Sequence, residues 1–154
     1  MMSTELKKNS SYEIVDTLPS VVEISADTPL DSSNGLHFRE WSQPGQGCYR
    51  WSGAAERIRL PIRIDRSAGN VISIHMMRAM CEPARIRMLV DSQEVAITET
   101  IQAYGILVSA AVPPSPRGAL LLEIISTTQQ EGTFPGARTL GLAVHHIRVA
   151  SGNF

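Results

Sequence analysis

The sequence predicts an all-β fold, a jelly-roll-like two-sheet antiparallel β-sandwich, and three observations carry that expectation. In Glu56 to Asp65 the apolar Ile58, Leu60, Ile62 and Ile64 alternate with Arg57, Arg59, Pro61 and Arg63, the period of a half-buried strand. The alternation recurs along the chain, with Gly, Pro and polar turn residues between the runs. No window of comparable length places apolar residues at helical spacing, and no solenoid or propeller repeat is present.

Taken in order, residues 1–12 are mostly polar and read as a flexible tail, leaving residues 13–154 as a single β-sandwich domain whose first apolar segment begins near Ile14. Val21, Val22 and Ile24 form an edge strand. Pro61 has no backbone donor, so its strand is expected to lie at an edge or to bulge there. Ile72, Ile74, Met76 and Met80 share one parity, with Ser73 and His75 on the other. Ile86, Met88 and Val90 alternate with Arg85 and Arg87, and Asp91-Ser92 reverses the chain towards Val95 and Ile97, which predicts a hairpin.

Ile106 to Val112 is apolar on both parities, as is Leu120 to Ile125 apart from Glu123, the pattern of interior strands. Pro113-Pro114-Ser115-Pro116 excludes a central strand or helix between them. In the last strand Leu140, Leu142 and Val144 keep one parity, and Ile147 and Val149 keep the other. His145 and His146 stand at the switch, where one extra residue in a β-bulge reconciles the halves. The total is about eight strands, as suits a sandwich. One shared core is expected from Ile58, Leu60, Ile62, Ile72, Ile74, Ile86, Met88, Leu120, Leu122, Leu140 and Leu142.

The composition supports one ordinary core. With 154 residues, 43% hydrophobic and 19% charged, the chain is neither disordered nor fibrous. It has no run of about eighteen apolar residues and no apolar secretory stretch near Met1, so no membrane insertion and a cytoplasmic location are expected. Cys48 and Cys81 are too few for a disulfide framework and too far apart for a zinc knuckle, and are expected to be free and partly buried. A net charge of -1 argues against a nucleic-acid partner. Charge is nonetheless uneven: residues 50–90 hold eight Arg against three acids.

No glycine-rich phosphate loop, paired-histidine zinc helix, nucleophile elbow or calcium loop occurs, so no catalytic residue, cofactor or metal site is assigned. His145 and His146 are adjacent on a strand and point to opposite faces, which disfavours shared ligation. Trp41, Tyr49 and Trp51 are more informative, since both tryptophans fall within eleven positions of a chain that is only 5% aromatic. A flat ring covers the apolar face of a sugar while its polar edge meets hydroxyls, so these three are carbohydrate-binding candidates. His75, on the outward parity, joins them as a hydrogen-bonding group. The competing reading places Trp51 in the core.

Arg57, Arg59 and Arg63 share one parity and Arg85 and Arg87 another strand's polar parity. If both strands belong to one sheet, these form a charged contact face suited to carboxylates or phosphates. The alternative is a solvated face balanced by cross-strand acids such as Glu94.

Gly35-Leu36-His37-Phe38-Arg39-Glu40-Trp41-Ser42, then Pro44, then Tyr49-Arg50-Trp51-Ser52-Gly53, together with Ile58-x-Leu60-Pro61 and Arg138-x-Leu140-Gly141-Leu142-Ala143, form a recognisable set. It resembles the carbohydrate-binding-module-like β-sandwich domains associated with bacterial polysaccharide glycosyltransferases, over about residues 35–149. The resemblance implies a noncatalytic module that recognises a poly- or oligosaccharide, or docks a glycan-assembly protein. The alternative is a protein-interaction or assembly subunit working through the arginine-rich sheet face or an edge. A small hydrolase or isomerase is a third reading, weakened by the missing acid/base cluster.

Overall fold

The computed structural model describes residues 17–31, 33–41, 47–103 and 105–152. The tail at 1–12, the segment near Ile14, and Ser42 and Pro44 lie outside the described residues. Thirteen strands and no helix are found among the described residues. They are β1 (Val21–Ser25), β2 (Glu40–Trp41), β3 (Cys48–Trp51), β4 (Ile58–Arg63), β5 (Asn70–Ala79), β6 (Arg87–Val90) and β7 (Gln93–Val95), followed by β8 (Ile97–Gln102), β9 (Gly105–Val112), β10 (Ala119–Ile125), β11 (Gln129–Gln130), β12 (Thr139–Leu140) and β13 (Leu142–Ser151). The excess over about eight consists mainly of short strands in 40–51 and 129–140. There the runs are too brief to display a two-residue period.

The protein is an all-β sandwich of two antiparallel sheets. The larger has the order β2-β3-β13-β5-β9-β8, with β1 also paired to β13, and the smaller has the order β4-β10-β6-β7. β11 and β12 form a separate two-stranded ribbon. The inward residues of both main sheets, including Ile58, Leu60, Ile62, Ile72, Ile74, Met88, Leu120, Leu122 and Val149, fill one core. Burying a side chain of this size contributes about 1.5–3 kcal/mol, which explains why the alternation dictates sheet facing.

Local chemistry accounts for the boundaries. β9 and β10 are interior strands, and β4, with Pro61, is an edge strand. Asp91 and Ser92 take positive φ of 52° and 68°, the conformation of a tight turn between β6 and β7. Ile97 leaves that hairpin, because β8 crosses to the edge of the larger sheet and pairs with β9. Cys48 is buried, Cys81 is half-buried, and both are free.

The phase change in β13 is a bulge: Val144 lies opposite Met76 and His146 opposite His75, so His145 is the extra residue. A second offset skips Met77 on β5, between the pairs Ala143–Arg78 and Val144–Met76. This second bulge corrects the parity of Met80, which does not continue the inward row of Ile72, Ile74 and Met76. Met80 instead packs with Met77 and Tyr49 against Trp51, Leu140 and Ala143 in a separate apolar cluster. Leu140 is corrected likewise: it is buried, but in this cluster, because it belongs to β12 rather than to either main sheet.

Candidate functional site

Residues 35–41, 47–53 and 138–143 assemble into one structural unit at the end of the larger sheet. Leu36 and Ser52 form an isolated bridge, and the His37 amide donates to the Trp51 carbonyl at 2.8 Å. The His37 imidazole Nε2 lies 2.7 Å from the Thr139 carbonyl oxygen, and Arg50 Nε donates to the His37 carbonyl at 2.7 Å. Ser52 Oγ accepts from the Leu142 amide at 2.8 Å. Gly53, at φ 110°, is required by a close approach, since a Cβ there would collide with the Thr139 carbonyl.

Arg138 is the electrostatic centre of the unit. Its Nη1 donates to Glu40 Oε2 at 2.8 Å, while its Nε and Nη2 grip both oxygens of Glu131 at 2.9 and 3.2 Å. The Arg138 amide adds a third bond to Glu131 at 2.8 Å. The bonds from the Arg138 side chain and backbone hold the Glu131 carboxyl below its ordinary range. Reciprocally, Glu131 and Glu40 raise the affinity of the Arg138 guanidinium for its proton.

The aromatic side chains among the described residues are Phe38, Trp41, Tyr49, Trp51 and Phe134, and all belong to this unit or its ribbon. Trp51 is 3% exposed, packs on Leu140 and Ala143, and meets Tyr49 edge-on at 6.1 Å and the Arg78 guanidinium at 5.4 Å. Trp51 is therefore a core residue of this end, with no ring face open to a sugar. Trp41 is 69% exposed, with the Arg39 guanidinium 5.6 Å from its ring centre, and Arg39 also pairs with Asp27. Pairing of Glu40 with Tyr49 and of Trp41 with Cys48 puts Trp41 and Tyr49 on opposite sides of the β2–β3 ribbon. The three sequence candidates thus do not share one platform.

Two further exposed rings are not among the carbohydrate-binding candidates drawn from the sequence: Phe38, 91% exposed, and Phe134, 56% exposed. Phe38 follows His37, and Phe134 lies between Glu131 and Arg138 in the turn after β11, so both flank the ion network along the chain. The available signal for Phe134 was a lone aromatic amid turn residues in Gly132-Thr133-Phe134-Pro135-Gly136.

His75 lies on the outer face of the larger sheet, directly opposite His146. The arginines divide. β4 and β6 do lie in one sheet, on either side of β10. Arg59, Arg63, Arg85 and Arg87 are exposed, whereas Arg57 precedes β4 and is half-buried. Arg57 donates to Glu123 at 3.2 Å and Arg59 approaches the same oxygen at 3.8 Å, over a carboxylate whose residue is only 6% exposed. Arg87 pairs with Glu94 at 2.7 Å, the anticipated cross-strand balance, and Arg63 donates to the Thr17 carbonyl at 3.0 Å. Arg85 stands before β6 with φ 52°.

No protein-family model matches this chain, and no curated protein matches it significantly.

Proposed function

We propose that this domain is a noncatalytic carbohydrate-binding module, linked to bacterial surface-polysaccharide assembly, that contacts its glycan through the exposed aromatic end. The observation that carries this reading is the exposure of Trp41, Phe38 and Phe134, which flank the members of the Glu40–Arg138–Glu131 network along the chain. Exposed rings supply sugar-stacking surface, and the polar network supplies hydroxyl partners at a fixed position. Trp51 supports this end from within. The bacterial-glycan context rests on the resemblance over about residues 35–149.

A panel of bacterial poly- and oligosaccharides, screened by calorimetry, tests the reading. Weak binding that Trp41→Ala and Phe38→Ala each reduce, without change in melting temperature, supports it. Absence of binding across the panel turns the preference to a protein-interaction or assembly subunit. The observation favouring that second reading is strand β8, which ends the larger sheet and carries Ile101 at 88% exposure.

A further inference from the structure

The outer face of the larger sheet carries a second chemical feature, independent of the aromatic end. His75 on β5 and His146 on β13 are direct cross-strand partners, with ring centroids 5.9 Å apart and planes inclined at 55°. The bulge at His145 creates this pairing: it returns Ile147 and Val149 to the core and leaves His146 on the outer side beside His75. Both imidazoles are half-buried, and among the described residues neither has a hydrogen-bond or ion-pair partner. By contrast, His37 and His145 have ring nitrogens 2.7 and 2.8 Å from the carbonyls of Thr139 and Cys48.

Imidazole nitrogen is a common ligand of transition ions, and two half-buried rings on paired strands can be bridged by one cation. With metal–nitrogen bonds of about 2.0–2.1 Å, two imidazoles on one ion have centroids about 5–6 Å apart, the separation seen here before adjustment of either rotamer. We infer that His75 and His146 form a two-histidine site for a divalent, imidazole-preferring transition ion of the Zn²⁺, Ni²⁺ or Cu²⁺ class, with water completing the coordination. Hard Mg²⁺ and Ca²⁺, which favour oxygen donors, are not ligands of this site.

The charged groups around the pair are engaged elsewhere. Burial, then the nearby His146 and His145 imidazoles, lowers the proton affinity of His75 below the ordinary histidine range. On the next cross-strand row Arg148 pairs with Glu23 of β1 at 3.4 Å, so that acid is engaged. Opposite His146 on β1 is Ser25, and opposite His75 on β9 is Leu107, neither of them charged. Arg78 of β5 is directed to the Trp51 ring.

The test is calorimetric titration of the untagged full chain with ZnCl₂, NiCl₂ and CuCl₂, with MgCl₂ as control. One equivalent of a transition ion is expected to bind near neutral pH. His75→Gln and His146→Gln should each lose roughly tenfold or more in affinity, whereas His145→Gln should retain it. Circular dichroism and melting temperature confirm that the variants fold, and amide NMR shifts confined to β5 and β13 report on the wild type without substitution. Absence of binding, equal affinity in both variants and the wild type, or shifts centred elsewhere overturns the site.

Discussion

Arg138 and Glu40, 98 residues apart, are joined by a 2.8 Å bond that ties the ribbon of β11 and β12 to β2. Glu131 completes the network from the same ribbon, with two oxygens on the guanidinium. The two carboxylates fix one cation at the aromatic end, which makes this charge cluster a structural tie as well as a polar surface.

Arg138→Gln should lower stability by about 1–2 kcal/mol, a modest cost because the network is part-exposed and screened by solvent. The pH dependence has a defined sign. Glu131 has a folded-state pKa below its unfolded value, so its contribution is complete above the ordinary carboxylate range and is lost as pH falls through the folded value. Urea denaturation from neutral to acid pH should show a steeper acid loss in the wild type than in Arg138→Gln. Parallel curves would remove Arg138 from that role.

The two tryptophans should behave oppositely. Trp51→Ala removes a ring that is 3% exposed and should cost about 3–5 kcal/mol. Trp41→Ala removes an exposed ring and a cation–π contact worth about 0.5–1 kcal/mol, so its effect on the melting temperature should be slight. Thermal melts of both variants decide the matter. Equal destabilisation would show that Trp41 is a structural residue.

Leu122→Ala should destabilise by roughly 2–5 kcal/mol, from lost transfer energy and the cavity left between the sheets. Leu122 is fully buried on β10, paired with both Leu60 and Val90. The denaturation midpoint checks this, and an unchanged midpoint and slope would contradict the packing.

Arg57→Gln with Arg59→Gln should cost about 1–3 kcal/mol, because the Glu123 carboxylate beneath them loses both cations while remaining shielded from water. Adding Glu123→Gln should recover part of the loss. A double-mutant cycle by chemical denaturation measures the coupling, and strict additivity would place the three groups outside one network.

How much was legible in the sequence follows from the range of the interactions involved. Alternation fixed the facing of Ile58, Leu60 and Ile62, the proline marked the edge at β4, and the parity break at His145-His146 located the bulge. Each depends on neighbours a few positions away, where pleat geometry leaves little choice. Tertiary structure alone decided that Trp51 is buried and Trp41 exposed, that Arg138 meets Glu40, that Arg57 and Arg59 converge on Glu123, and that His75 meets His146. Those relationships depend on sheet order and register between distant segments. The skipped Met77 gives the physical reason: one extra residue inverts every side chain beyond it, so Met80 and its partners could be placed only once the pairing of β5 with β13 was known.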